Sequence, residues 1–403
     1  MAWQIIDGGV TAPQGYQAAG VTAGLKPSGA PDLALIYSEV PAVPAGVFTT
    51  SCVRAACVDF NQGIVSRQKP VQAILCNAGQ ANACTGLEGW HNAVECAQLT
   101  QQELKTDAAV LVASTGVIGR QLRMDLLRPA IPQVVQALRR DGSESAARAI
   151  ITTDLVTKSA AVAGQVEGIT VKIGGICKGS GMIHPNMATM LAFVTCDAAV
   201  SAPVWQEMLT RANAGSFNQI TVDGDTSTND MLLALANGRS GLPMITELDS
   251  APAQQLQAML EAVCQSLAKQ VARDGEGATC LLEVNVSGTE DVTSARLIAK
   301  TVVGSALVKS AVFGRDPNWG RIAAACGRSG VHFDQAKLHI QLGDLVMMTE
   351  GTPQPFDRAS ASQYLKSELV QIFVRVGEGQ GTGTAWGCDL SYDYVKINAE
   401  YTT

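Results

Sequence analysis

The chain has 403 residues, of which 29 are basic and 36 acidic, giving a net charge of −7, and 47% are hydrophobic. This length is sufficient for a large core, in two or three domains or in one multilayer domain. The acidic balance argues against nucleic acid or an anionic membrane as the main partner and favours small-molecule ligands.

The start of the chain lacks the basic region and apolar core of a signal peptide, and no run of about 18 apolar residues occurs anywhere. We therefore expect a cytoplasmic protein without a membrane span. The eleven cysteines form no C-x-x-C pair, so buried free thiols are favoured over disulfides or a zinc site. The four histidines likewise show no metal-ligand spacing, and no metal is expected.

Short apolar strands are predicted at 33–37, 43–48 and 71–76, and a helix at 86–104. The segment 77–86, rich in Asn, Ala and Gly, follows a buried strand and fits either a plain connection or a functional loop. A further buried strand at 108–113 leads into Ser-Thr-Gly at 114–116. Taken alone, this tripeptide predicts a turn.

Helices are predicted at 125–139 and 144–150, followed by a hairpin over 159–176 with its turn at 165–168. Lys178 comes directly after this hairpin. It is not a P-loop lysine, because Gly-Ser-Gly follows the lysine and leads into a turn with proline rather than a helix.

Residues 178–191 read KGSGMIHPNMATML, an irregular segment that runs into an apolar strand at 190–194. Thr189 lies where the two meet. If the bond from Ala188 to Thr189 were cleaved, Thr189 would carry both a hydroxyl nucleophile and a free α-amine. That amine, with a pKa near ~8, could act as the base for the hydroxyl. An isolated Ala-Thr step would be uninformative, and the inference depends on the whole string.

The string at 178–191 closely resembles the self-cleavage segment of the glutamate N-acetyltransferase (ornithine acetyltransferase) family of arginine biosynthesis. The resemblance implies cleavage between Ala188 and Thr189, which would give an N-terminal chain 1–188 and a C-terminal chain 189–403. It also implies that the new N-terminal Thr189 carries an acetyl group from N-acetylornithine to glutamate.

Beyond the junction we predict helices at 203–213, 253–271 and 291–310, a strand at 282–286, a hairpin turn at 377–383 and a strand at 389–397. The acidic segment 221–230 looks like a calcium loop but lacks its terminal glutamate, so metal binding is not favoured. Family-like motifs recur from about residue 20 to the end of the chain, with departures at Gln80, Cys280 and Thr402.

By resemblance, the fold is an α/β (α+β) four-layer αββα sandwich like that of self-processing N-terminal-nucleophile hydrolases. The oxyanion would be held by the Thr115 hydroxyl and the Gly116 N–H, a role that needs preorganised donors. The resemblance assigns the substrate to Thr153, Lys178, Thr189, Glu276, Asn398 and Thr403. It implies no cofactor and a heterotetramer of two α and two β chains, and it leaves open whether acetyl-CoA also serves as donor.

Two rival interpretations stay open at this point. An amidohydrolase or aminopeptidase on the same self-processing scaffold would use the same nucleophile but pass the acyl group to water. A non-catalytic binding protein would keep Thr189 as a structural residue in an uncut chain. An acceptor assay separates the first rival from the acetyltransferase, and the intact mass separates the second.

Overall fold

The computed structural model describes residues 3–184 and 190–400. The predicted cleavage pair Ala188 and Thr189, and the predicted substrate residue Thr403, lie outside these ranges. In the part of the chain before the junction the elements are β1 (Trp3–Ile5), β2 (Tyr16–Val21), β3 (Leu33–Phe48), α1 (Ala56–Ser66), β4 (Val71–Gln80), α2 (Gly86–Leu104), β5 (Ala109–Val117), α3 (Met124–Gln136), α4 (Ser143–Ile150), β6 (Lys158–Val166) and β7 (Ile169–Lys178).

After the junction the described elements divide into a second set of strands and helices. They are β8 (Leu191–Cys196), α5 (Ala202–Ala214), β9 (Ile220–Thr221), β10 (Met231–Ala236), α6 (Ala251–Arg273), β11 (Leu281–Gly288), α7 (Val292–Val303), α8 (Ala306–Phe313), α9 (Trp319–Gly327), β12 (His339–Leu342), β13 (Leu345–Thr349), β14 (Thr352–Pro353), α10 (Arg358–Tyr364), β15 (Leu369–Arg375), β16 (Gly379–Cys388) and α11 (Tyr392–Glu400). No helix within the described ranges is both long and apolar enough to cross a membrane.

A nine-stranded sheet has the order β1-β6-β7-β8-β10-β3-β4-β5, with β2 also paired to β3. The long strand β3 divides this sheet into two leaves. Its first part pairs with β2 and β4, and its second part, Val43 to Phe48, pairs with β10. The register between β3 and β4 shifts between Tyr37 and Ala42, where the two leaves meet.

The two leaves lie against each other, with helices on both sides. Helices α1 to α4 share a core with β2 to β5, and α5 and α6 share another with β6, β7, β8 and β10. The buried Tyr16 on β2 donates its hydroxyl to the carbonyl oxygens of Cys196 and Leu235, at 3.0 and 2.8 Å. The predicted α/β class with β layers between helices is therefore confirmed.

Strand β8 contributes to both cores. Leu191 and Phe193 belong to one, and Ala192, Val194 and Cys196 to the other, so all six residues of β8 are buried. A strand buried on both faces needs apolar side chains at every position rather than at alternate ones. This requirement explains the continuous apolar run after the junction.

A separate seven-stranded sheet has the order β14-β13-β12-β15-β11-β16-β9 and was not predicted. Its buried side chains form a third core with α7 to α9. Helix α6 also contacts β9, β11 and β16, and Trp386 and Cys388 on β16 join the core of α5 and α6. Helix α6 therefore connects the two sheets.

Three predicted elements are wrong. Residues 377–383 do not form a hairpin, because β15 and β16 lie on opposite sides of β11 and pair with it instead of each other. The helix predicted at 291–310 is two helices with a break at Gly304 and Ser305, where the Ser305 side chain caps α8. The strand predicted at 389–397 is α11, whose first turn is supported by Ser391 accepting the Tyr394 N–H at 3.4 Å.

Two loop predictions are also corrected. Strand β4 extends into the predicted loop 77–86 and ends at Gln80. Thr115 and Gly116 belong to β5 rather than to a turn. The cause is the parallel pairing of β4 with β5, which continues past the apolar core of both strands and aligns Ala78 with Thr115. All eleven cysteines are free, and all but Cys52 and Cys84 are buried, as predicted.

The contact between leaves can be tested with Tyr16→Phe. The substitution removes a buried donor that serves carbonyls of β8 and β10, so we expect a loss of about 1 kcal/mol of stability. Urea unfolding followed by fluorescence measures the change. Tyr392→Phe is the control, because Tyr392 is 85% exposed and should leave the midpoint unchanged. Equal midpoints for Tyr16→Phe and wild type would show that the hydroxyl does not stabilise the leaf contact.

Candidate functional site

One cleft, with a volume of about 190 Å³, contains every predicted site residue that the structure describes. These residues are Thr115, Gly116, Thr153, Lys178, Glu276 and Asn398. Met190 and Leu191, which follow Thr189 in sequence, line the cleft as well. Residues predicted from five separate stretches of the chain therefore meet in one cleft with Met190 and Leu191.

Lys178 lines the cleft from the last position of β7. Its Nζ donates to the hydroxyl of Thr152 at 2.7 Å and to that of Thr115 at 3.2 Å. Thr115 is buried near the end of β5, with an exposed fraction of 8%. The lysine thus orients the hydroxyl that the sequence assigned to the oxyanion, an arrangement not foreseen from the sequence.

Gly116 has no room for a side chain. Its φ is 126°, and a Cβ built there would lie 2.4 Å from the carbonyl carbon of Gly79 on the neighbouring strand. Real Cβ atoms essentially never approach other heavy atoms this closely. The glycine is required because β4 and β5 approach closely where the Gly116 backbone lines the cleft.

Behind the cleft lies a buried ionic network that sequence reasoning missed. Lys158 Nζ is 2.6 Å from Asp154 Oδ1 and 2.6 Å from Asp274 Oδ2. Burial alone would raise the pKa of Asp154, but the ammonium groups of Lys178 and Lys158 outweigh it and lower that pKa to about 2. Burial would likewise lower the pKa of Lys158, and the attraction of the Asp154 carboxylate reverses the effect and raises it. Asp154 and Lys158 are therefore both charged at neutral pH.

The turn before the junction is held by Asp223. Its carboxylate accepts the N–H groups of Met182 at 2.6 Å and Ile183 at 2.9 Å, and Met182 has a φ of 56°, unusual for a residue with a side chain. Burial raises the pKa of Asp223. The acidic segment around Asp223 therefore supports backbone geometry, and the described residues contain no cluster that could hold a metal ion.

His184 is the last described residue before the junction. Its Nδ1 lies 3.0 Å from the Thr221 hydroxyl, and its carbonyl accepts the Thr226 hydroxyl at 3.0 Å. Burial, together with the charge of Lys300, lowers the pKa of His184 to about 4. The imidazole is accordingly neutral at physiological pH.

Glu276 and Asn398 also line the cleft, together with the acidic residues Asp223, Asp225 and Asp230. Glu276 is 8% exposed, and its carboxylate accepts a hydrogen bond from the Asn398 amide at 2.8 Å. Gly277 allows the loop after α6 to approach α11, because a Cβ there would lie 2.5 Å from the Tyr394 nitrogen. With Lys178 and Glu276 both lining it, the cleft suits a small molecule that carries a negative and a positive group.

Sequence reasoning found the cleft residues within recognisable motifs but missed those behind them. Lys158 opens a strand whose sequence looks like an ordinary hairpin, and its partner Asp274 is 116 residues away. Asp154 directly follows Thr153, but no sequence motif marked it as functional. The only indication in the sequence was that Asp274 lies two residues before the predicted substrate residue Glu276.

Comparison with known proteins agrees with this fold. Residues 17–403 match the ArgJ family. The arginine biosynthesis bifunctional protein ArgJ 1 of a Nostoc species is 63% identical over 411 residues, covering 100% of this chain and 99% of that protein. The ArgJ protein of a Synechocystis species is 60% identical over 411 residues, with the same coverage.

Among solved structures, the crystal structure of the arginine biosynthesis bifunctional protein ArgJ from Bacillus halodurans is 45% identical, with a TM-score of 0.51. The match covers 52% of this chain and 98% of that chain. The fold and cleft define an α/β protein with a site suited to a small molecule bearing both charges. The chain belongs to the ArgJ family, and the family resemblance seen in the sequence is confirmed.

The need for glycine at 116 can be tested with Gly116→Ala. Its positive φ costs about 1–3 kcal/mol for any other residue, and the collision with Gly79 should add about 1–3 kcal/mol. We expect lower thermal stability and loss of the activity associated with the cleft. Gly119→Ala is the matched control, because Gly119 also has a positive φ, 79°, but a Cβ there meets nothing within 4 Å. Equal stability of the two variants would contradict the proposed close contact.

Proposed function

We propose that this protein transfers the acetyl group of N2-acetylornithine to glutamate in arginine biosynthesis, through an acetyl ester on Thr189. The observation that carries the proposal is the cleft around the junction segment, which combines Lys178, Thr115 and Gly116 with the Glu276 carboxylate. Lys178 suits the carboxylate of an amino acid, and Glu276 suits an ammonium group. The names of the relatives, which refer to arginine biosynthesis, support the pathway.

In the proposed self-cleavage, the Thr189 hydroxyl attacks the Ala188 carbonyl. The acyl group moves from nitrogen to oxygen, and water then hydrolyses the resulting ester. The products would be chains 1–188 and 189–403, the second beginning with a threonine whose α-amine is free. That amine would remove the hydroxyl proton in each later turnover.

In the proposed transfer, the Thr189 oxygen attacks the acetyl carbonyl of N-acetylornithine. The negative charge that develops on the carbonyl oxygen would be stabilised by the Thr115 hydroxyl and the Gly116 N–H. Lys178, which donates to Thr115 at 3.2 Å, adds positive charge beside these donors. Ornithine leaves with the proton, glutamate enters, and its amine takes the acetyl group from the threonine ester.

Two observations support cleavage at this position. First, β7 and β8 are adjacent antiparallel strands, with Lys178 opposite Leu191, so both products would contribute strands to one sheet and stay associated. Second, the solved Bacillus halodurans chain is matched almost completely by 52% of this chain. The proposed C-terminal product, 215 of 403 residues, is about 53% of the chain.

We also propose that Thr153 and Thr403 complete the substrate site, on the strength of the family resemblance. Thr153 lines the cleft, whereas Thr403 lies outside the described residues. The use of acetyl-CoA as a second donor, a cytoplasmic location and a heterotetramer of two α and two β chains stay predictions. The amidohydrolase alternative, which differs only in passing the acetyl group to water, is not favoured by relatives named for arginine biosynthesis.

The proposed reaction predicts a cleaved enzyme with a covalent intermediate. Purified protein should consist of two associated polypeptides of 188 and 215 residues, and Thr189→Ala should remain a single inactive chain. With N-acetylornithine alone, mass spectrometry should find about 42 additional mass units on the peptide that begins at Thr189. Initial-rate lines against N-acetylornithine at several glutamate concentrations should be parallel, as in double displacement.

Contrary outcomes are equally specific. An uncut wild-type protein with full activity would exclude Thr189 as an N-terminal nucleophile. Acetate release at the same rate with and without glutamate would identify an amidohydrolase. Parallel assays with N-acetylornithine and with acetyl-CoA as donor, both with glutamate as acceptor, determine whether one or both donors are used.

Asn398→Ala tests the Glu276 end of the cleft. The substitution removes the donor that lies 2.8 Å from the Glu276 carboxylate and leaves self-cleavage groups untouched. We expect normal processing and weaker substrate binding, by about 1–3 kcal/mol for the lost polar contact, seen as a raised KM. Lys396→Ala on the same helix is the control. An unchanged KM in Asn398→Ala would remove Asn398 from the substrate site.

A further inference from the structure

The ionic network behind the cleft is buried to an unusual degree. The side chains of Lys158 and Asp154 are 0% exposed, and that of Asp274 is 7% exposed. Removing three ionised groups from water is costly, and apolar residues of similar volume often stabilise such positions better. Stability alone is therefore a poor explanation for this arrangement.

Asp154 holds backbone near Lys178 in addition to its contact with Lys158. Asp154 accepts the N–H of Gly179 at 2.6 Å and that of Thr152 at 3.1 Å. Gly179 directly follows Lys178, and the Thr152 hydroxyl is a partner of the Lys178 ammonium. Movement of Asp154 would therefore displace both Lys178 and the group that orients it.

The same network extends to Glu276. Asp274 lies two residues before Glu276, and its backbone carbonyl accepts the Ser180 hydroxyl at 2.6 Å. The Glu276 N–H in turn donates to the Ser180 carbonyl at 3.0 Å. The side chain of Asp274 is bound by Lys158 at 2.6 Å and by the Leu155 N–H at 3.1 Å. Lys158 is thus linked through one carboxylate to Lys178 and through the other to Glu276.

We propose that Lys158 is a positioning residue of the substrate cleft, which sets the separation of Lys178 and Glu276 by holding Asp154 and Asp274 together. Lys158 is not among the residues that line the described cleft, so it acts through its two partners. The inference rests on the proposed function for the identity of the substrates. It adds that the affinity for a molecule with one negative and one positive group depends on Lys158, which does not itself line the cleft.

Asp274→Asn is the sharpest test. It leaves Lys158 paired with Asp154 in the buried site, and asparagine has nearly the shape of aspartate, so the protein should fold. It also keeps an oxygen that can accept the Leu155 N–H, while the ionic link toward Glu276 is lost. Misplacement of binding groups by about 1 Å can cost about 100-fold, and we expect KM for N-acetylornithine and glutamate to rise about tenfold or more, with a smaller change in kcat.

Lys158→Met is the second variant, and it removes the link to both ends. It should raise both KM values at least as much as Asp274→Asn, and its processing at Ala188 should also slow, because Gly179 to Ile183 lead into the junction. Ile340→Ala is the matched control for stability alone. Ile340 is 0% exposed in the core of the seven-stranded sheet, so its truncation should lower the unfolding midpoint and leave KM unchanged.

The outcomes separate this inference from the proposed function. If the wild-type protein transfers no acetyl group, both the proposed function and the positioning role of Lys158 are wrong. If wild type transfers acetyl groups and Asp274→Asn has the wild-type KM for both substrates, the positioning role of Lys158 is wrong while the reaction stands. A KM increase in Asp274→Asn that Ile340→Ala does not share supports the role, since loss of stability alone does not change the KM of the folded enzyme.

Discussion

The site depends on the pairing of β8 with β7 on one side and β10 on the other. Because β7 and β8 are antiparallel, the end of β7 at Lys178 meets the start of β8 at Leu191. Because β8 and β10 are parallel, the loop before Met231 reaches the same edge of the sheet. Thr115 and Gly116, near the end of β5, lie close by, with the Thr115 hydroxyl 3.2 Å from Lys178 Nζ. The sheet thus brings the predicted lysine, the predicted oxyanion donors and the segment with the junction to one place, although they are distant in sequence.

Burial and ion pairing determine which groups near this end of the sheet are charged. Lys178 has hydroxyl partners within the cleft, and the charge of the buried Asp154 behind it is maintained by two ammonium groups. His184, by contrast, is neutral because burial and Lys300 oppose its protonation. With the His184 imidazole neutral, Lys178 is the cation closest to the oxyanion donors among the described cleft residues. In a site partly shielded from water, such fixed charges act more strongly than they would in solution.

The sequence predicted features that depend on local periodicity. Helix α2 has the predicted bounds, the hairpin of β6 and β7 is present, and the apolar run after the junction is β8. Features set by distant partners were not predictable in this way. The pairing of both β15 and β16 with β11 and the contact of Lys158 with Asp274 each join segments far apart in sequence. The last helix was mistaken for a strand because its Tyr, Val and Ile favour strands, and the capping role of Ser391 was overlooked.

The proposed cleavage would leave the pairing of β7 with β8 intact. The ladder between β7 and β8 begins at Lys178 and Leu191, so a cut between 188 and 189 would break none of its backbone hydrogen bonds. The two products would remain joined by this ladder and by the pairing of β3 with β10. The buried salt bridge between Lys158 and Asp274 would also join the two products. Self-cleavage would therefore free an amine at Thr189 while the charged groups of the cleft, contributed by both products, kept their positions.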